Sequence, residues 1–137
     1  MPHHSLIPGS PADWLARAKG SLAQAKQPKA PDGYWEDLCF LAHQATEKAL
    51  KAVYQQSQWL FRYTHNIEEL VTGLAAKGLQ IPRAVQDAVV LTKHAVSTRY
   101  PGVSDPVTKR EYETAVRLAQ AVVDWATPLI VGKPAKD

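Results

Sequence analysis

From Tyr34 to Gln56 the chain reads YWEDLCFLAHQATEKALKAVYQQ, with apolar positions recurring every three or four residues and neither Gly nor Pro among them. Leu38, Leu41, Ala45, Ala49, Ala52 and Val53 fall on one stripe of an α-helix, which at 1.5 Å per residue would be roughly 35 Å long. Phe40, His43, Glu47, Leu50 and Tyr54 form a second, mixed stripe beside it. The small alanines of the first stripe let another helix approach closely. The second stripe is apolar enough to need cover yet carries a His and a Glu, so it predicts a site or a subunit contact. Cover by the fourth helix and the Trp59 region of the same chain is the alternative.

Similar periodicity flanks this segment. Trp14, Leu15, Ala18, Leu22 and Ala25 predict a first helix from Pro11 or Ala12, capped by Ser10 and stopped by Pro28. The loop QPKAPDG then returns the chain antiparallel. After the long helix, Trp59, Leu60, Phe61 and Tyr63 make an aromatic connector. Asn66 caps a third helix with Glu69 as its capping-box partner; Ile67, Leu70, Val71 and Leu74 face inward, and Gly78 ends it. Ile81-Pro82 opens a fourth helix with the stripe Val85, Ala88, Val89, Thr92, Ala95 and Val96, closed by the turn Arg99-Tyr100-Pro101-Gly102. The last helix runs from about Thr108 to Val131, with Tyr112, Ala115, Ala119, Val122, Val123, Ala126, Leu129 and Ile130 on one face. No segment carries strand periodicity of weight, and there is no internal repeat. The expected fold is all-α: an antiparallel up-and-down bundle of four long helices plus a short extra one. It occupies residues 11–131, between a flexible lead-in at 1–10 and a flexible tail at 132–137.

Composition narrows the function more than the fold. With 137 residues, 15.1 kDa and 45% hydrophobic side chains, the chain suits one domain with one core. Sixteen basic against thirteen acidic residues give a net charge of +3, too small to choose between RNA, an acidic partner and simple solubility. Cys39, alone, excludes an internal disulfide or a thiolate zinc site and reads as a small core residue. The N-terminus lacks a signal-like pattern and no segment approaches the roughly 18 apolar residues of a membrane span, so a cytoplasmic, non-membrane protein is expected.

There is no phosphate-binding Gly loop, no metal-ligand cluster and no nucleophile–His–acid spacing, so no metal and no cofactor are expected. What remains is His43 on the long helix, Arg62 with His65 before the third helix, and His94 with Arg99 near the end of the fourth. A metal-free ribonuclease needs little more, since a His can move a proton and an Arg can stabilise charge developing on phosphate. Each also has a plainer reading. His43 can be a packed, hydrogen-bonded side chain; His65 can shape a helix start; His94 and Arg99 can be end-of-helix cations. Glu47, Lys48 and Lys51 read as a solvated face.

The segment AHQATEKALKAVYQ, then RYTHNIEEL, then KHAVSTRYPG ahead of TKREYETAVRLAQ, resembles the prokaryotic HEPN domain over about residues 12 to 131. The resemblance implies a small helical bundle that forms homodimers and pairs with a minimal nucleotidyltransferase in a toxin-antitoxin-like two-component system. It implies a nucleotide- or RNA-binding cleft, here involving His43, Arg62, Tyr63, Arg99 and Tyr100. The alternative it implies is a metal-independent RNA endonuclease using Arg62, His65, His94 and Arg99. Many family nucleases carry an Arg followed four to six residues later by a His. Here only two residues separate Arg62 from His65, and His94 precedes Arg99.

Overall fold

The computed structural model describes residues 6–61, 63–96 and 105–131, and every regular element in them is helical. α1 spans Pro11–Ala25, α2 Trp35–Gln56, α3 Ile67–Ala76, α4 Arg83–Asp87, α5 Lys93–Val96 and α6 Lys109–Val131. A 3-10 segment, Ala88–Thr92, joins α4 to α5. Residues 1–5 and 132–137, parts of the expected lead-in and tail, lie outside the described residues.

Local chemistry sets the ends of the helices. Ser10 Oγ accepts from Asp13 N at 3.2 Å and Pro11 occupies the first turn, while Asp13 in return accepts from Gly9 N. Gln55 also donates to the Gly9 carbonyl, so residues 9 and 10 of the expected lead-in are tied to α1 and α2. At α3 half of the expected capping box forms. Asn66 Oδ1 accepts from Glu69 N, but Asn66 N goes to Thr64 Oγ1 rather than to the Glu69 carboxylate. Gly78 closes α3 at φ 91°, where Leu79 N reaches the Leu74 carbonyl. Thr108 and Glu111 make a reciprocal box at the start of α6.

α2 is the central element. Its expected inward stripe is buried from Ala45 to Val53, and Ala45, Ala49 and Ala52 are fully covered where α1 and α6 close on it. α1 runs opposite to both: Tyr112 near the start of α6 donates to the Ala25 carbonyl at the end of α1, and its ring lies 4.8 Å from Trp35 at the start of α2. α2 and α6 therefore run in the same direction, the return stroke being made in pieces by α3, α4 and α5. α3, the 3-10 segment and α5 also pack on α2 and help cover the second stripe, leaving Phe40 half-buried. His43, Glu47, Leu50 and Tyr54 are buried within the one chain, the alternative that the sequence left open. Cys39 is buried as expected, and burial, with Glu111 and Glu36 nearby, pushes its thiol up to about 12, which leaves it inert.

The fourth long helix is not continuous. Of the expected stripe Val85, Ala88 and Ala95 are buried, but Val89 and Thr92 are only half-buried; Leu91 and His94, outside it, are buried instead, in steps of three from Val85 and Ala88. Steps of three match the three residues per turn of the 3-10 conformation, which the poor helix formers Val89, Val90 and Thr92 do not oppose. Thr92 takes a capping role from there: its Oγ1 accepts from Ile67 N, an amide at the start of α3 that has no partner inside its own helix.

Gly73 shows how closely α3 meets α2. A Cβ there would overlap the Tyr54 hydroxyl, which donates to the Leu70 carbonyl at 2.7 Å. Gly73→Ala is expected to cost about 1–3 kcal/mol in urea denaturation, despite alanine's better helix propensity. Combined with Tyr54→Phe, which removes the overlapping oxygen, it should cost much less. Equal costs in the two backgrounds would show that the contact is not the cause.

Candidate functional site

α2 places His43, Glu47 and Lys51 at steps of four on one face, turned toward the segment that joins α2 to α3. Glu47 holds both ends of this arrangement. Its Oε2 accepts from Lys51 Nζ at 2.6 Å and its Oε1 accepts from His65 Nδ1 at 2.9 Å. His43 Nε2 donates to the His65 carbonyl at 2.8 Å, and its Nδ1 lies 4.0 Å from Glu47 Oε1. Lys51 is only 2% exposed and Glu47 7%, so the solvated face that sequence spacing suggests is a buried ion pair. The ammonium sits 5.8, 5.5 and 5.4 Å from the ring centres of Trp14, Phe61 and Tyr63. Those ring faces and the Glu47 carboxylate replace the water a buried cation loses. Burial alone would raise the Glu47 carboxyl, but the hydrogen bonds from Lys51 and His65 outweigh it and hold the group below the usual carboxylate range. Glu47 is therefore ionised at neutral pH and can only accept, which puts a proton on His65 Nδ1.

The connector turns outward from this anchor. Gln58 adopts φ 59°, Trp59 N returns to the Tyr54 carbonyl, and the chain leaves α2 with Phe61 packed against Trp14 and Tyr54. Beyond it Tyr63 is 89% exposed and the His65 side chain 61% exposed, their ring centres 5.9 Å apart. An open aromatic face thus stands beside an imidazole held through Nδ1 and its own backbone. A base can stack on the first, and a phosphate can meet Nε2 of the second.

Of the residues singled out from sequence, the structure brings His65 and Tyr63 together on this surface, with His43 directly behind them. His43 is 1% exposed and reaches the surface only through the His65 backbone. His94, in α5, is 3% exposed; burial first, then Lys93, push its imidazole down from the ordinary 6.5 to about 4, so it is neutral at physiological pH. Arg62, Arg99 and Tyr100 lie outside the described residues. Sequence reasoning missed Glu47 and Lys51 as parts of the site. The usable signal was that Glu47 shares a stripe with His43 and Leu50, so that Lys51, one turn on, is carried toward the same cover. Among the described residues no group of three or more His, Cys, Asp or Glu side chains is placed to hold a metal ion, and no helix is long and apolar enough to cross a membrane.

Comparison with known proteins adds to this geometry. Residues 11–129 match the model of the HEPN domain. The crystal structure of TT1696 from Thermus thermophilus is similar to this chain, with a TM-score of 0.76 and 30% identity, over 88% of this chain and 98% of that one. ST0689, described as an archaeal HEPN homologue, is similar with a TM-score of 0.69 and 29% identity, again over 88% of this chain and 98% of its own. No curated protein matches the chain.

Proposed function

The chain belongs to the HEPN domain family, and on that premise we propose that it is a homodimeric module that binds nucleotide or RNA and pairs with a minimal nucleotidyltransferase in a two-component, toxin-antitoxin-like system. The observation that carries the binding reading is the Tyr63–His65 surface. An almost fully exposed ring and an outward imidazole sit side by side, and a buried charge pair fixes the imidazole from behind. Exposed aromatic rings beside a cationic or hydrogen-bonding group suit the base and phosphate of one nucleotide. Arg62, next to Tyr63 in sequence, and Arg99 with Tyr100 complete the proposed contact set, and their positive charge suits a polyanion. Pairing with a nucleotidyltransferase rests on the family alone.

The homodimer rests on the family and on apolar side chains left in water, Leu60 at 95% exposure beside the proposed surface among them. It does not rest on the second stripe of α2, which the chain covers itself.

A second reading, a metal-independent ribonuclease, is favoured by one detail. A carboxylate that holds Nδ1 leaves Nε2 able to take or give a proton, which suits a general base or acid. In that reading His65 and Arg62 act at the phosphate with Arg99, while His94, buried and neutral, contributes only if its segment opens.

One preparation tests both readings. In EDTA, the parent is expected to bind ATP or a short oligoribonucleotide and to sediment near twice 15.1 kDa. Tyr63→Ala should bind roughly tenfold more weakly with little change in melting temperature. Equal binding by Tyr63→Ala would return Tyr63 to connector packing. Cleavage of the oligonucleotide in EDTA that is lost in His65→Ala would make the enzyme reading the correct one.

A further inference from the structure

We infer that Glu47 is the positioning residue of this surface: by accepting the Nδ1 proton of His65 it fixes the imidazole with Nε2 outward, as the atom offered to a ligand's phosphate. The inference rests on the binding reading above and adds to it which nitrogen does the work and what sets it. A carboxylate needed only to neutralise Lys51 would be complete with Lys51. Here the second oxygen is turned to His65, a side chain 61% exposed that water could solvate and that loses rotamer freedom by being held.

The same residue is gripped a second time, one helical turn away, where His43 Nε2 donates to the His65 carbonyl. Ring and backbone are thus both fixed from α2, the most deeply buried helix. Lys51 prevents the carboxylate from swinging away, since its ammonium is enclosed by Trp14, Phe61 and Tyr63 and has Glu47 as its anionic partner. A free neutral imidazole prefers the proton on Nε2, so the arrangement imposes the less common tautomer and leaves the Nε2 lone pair facing solvent. Neutral, that atom accepts a proton; protonated, it donates to a phosphate oxygen.

Two double variants separate positioning from charge neutralisation. Glu47→Leu/Lys51→Met and Glu47→Gln/Lys51→Met both remove the buried ion pair, but only the second keeps an oxygen acceptor for Nδ1–H. Long-range nitrogen–proton NMR of the neutral His65 ring gives the tautomer, and titration with ATP in EDTA gives the affinity. The parent and the Gln/Met variant should show the Nδ1–H tautomer, and the Leu/Met variant should shift to Nε2–H and bind ATP about tenfold more weakly than the Gln/Met variant. An unchanged tautomer in Leu/Met, or equal ATP affinity in the two variants, overturns the inference. So does a parent whose neutral His65 carries its proton on Nε2, a result that needs no variant to fold. A parent with the Nδ1–H tautomer that binds no nucleotide supports the positioning and overturns the binding reading instead.

Discussion

Glu47→Ala is expected to cost roughly 3–5 kcal/mol, the largest loss of any single substitution considered for this protein, because it leaves the Lys51 ammonium buried without its counter-charge. Lys51 is 2% exposed, its Nζ lies 2.6 Å from Glu47 Oε2, and three aromatic rings enclose it. The rings lower the cost of burying a cation, but cation–π attraction is worth about 0.5–2 kcal/mol and does not replace a carboxylate. Against a total stability of about 5–15 kcal/mol for a domain, such a loss moves the urea midpoint far toward zero. Removing both partners is a different matter. Glu47→Leu/Lys51→Met leaves no stranded charge and fills similar volume, so its stability should return close to that of the parent. The measurement is urea denaturation of the parent, the single variant and the double variant. A loss below about 1 kcal/mol in Glu47→Ala would mean that Lys51 escapes to water and that the pair is a surface pair after all.

The second large effect is a loss of stability in mild acid. The His94 imidazole is pushed down from 6.5 to about 4 in the folded chain, by burial first and by Lys93 next. As pH falls through 6.5 the unfolded chain takes up a proton there that the folded chain refuses until about 4. Stability is therefore unaffected above pH 6.5, falls across the window from 6.5 to 4, and levels off below it. The difference corresponds to roughly 3 kcal/mol at the lower end. Glu47 and Glu111 add to the fall in a lower window, because their folded values are depressed and their contribution is lost only as pH drops below the ordinary carboxylate value of 4.5. The two windows separate the causes. His94→Gln should flatten the stability profile between pH 6.5 and 4.5 and leave the steeper acid fall in place. A parent whose urea midpoint is constant from pH 7 to 5 would show that His94 is not held neutral.

These two effects have one structural source. α2 is covered nearly all round, so every polar side chain on its second stripe needs a partner inside the fold. Near its C-terminal half the partners are ionic and lead out to the His65 surface. Nearer its N-terminal half α5 packs on it and brings in His94, which burial keeps neutral.

The sequence by itself determined the helical architecture, most helix ends and the burial of the first stripe. Those properties are set within a few residues: apolar spacing of three and four, Ser10 and Asn66 as caps, Gly78 as a stop. It also brought forward His43 on the long helix and His65 before the third as candidate imidazoles, along with His94, which the fold buries, while Tyr63 entered through the family resemblance. Only the tertiary structure decided the rest. Glu47 and Lys51 at a spacing of four are the usual pattern of a solvated helix pair, and nothing local distinguishes them from one. What buries them is the return of Trp14 from α1 and of Phe61 and Tyr63 from the connector, contacts spanning up to 37 residues between Trp14 and Lys51. The broken fourth helix has the same origin. Helix propensity between Val85 and Ala95 is too weak to fix one geometry, and packing against α3 and α6 selected the period of three that buries Leu91 and His94. Burial of a charge and the pitch of a weak helix both depend on which distant surfaces arrive, and that information is spread over the whole chain.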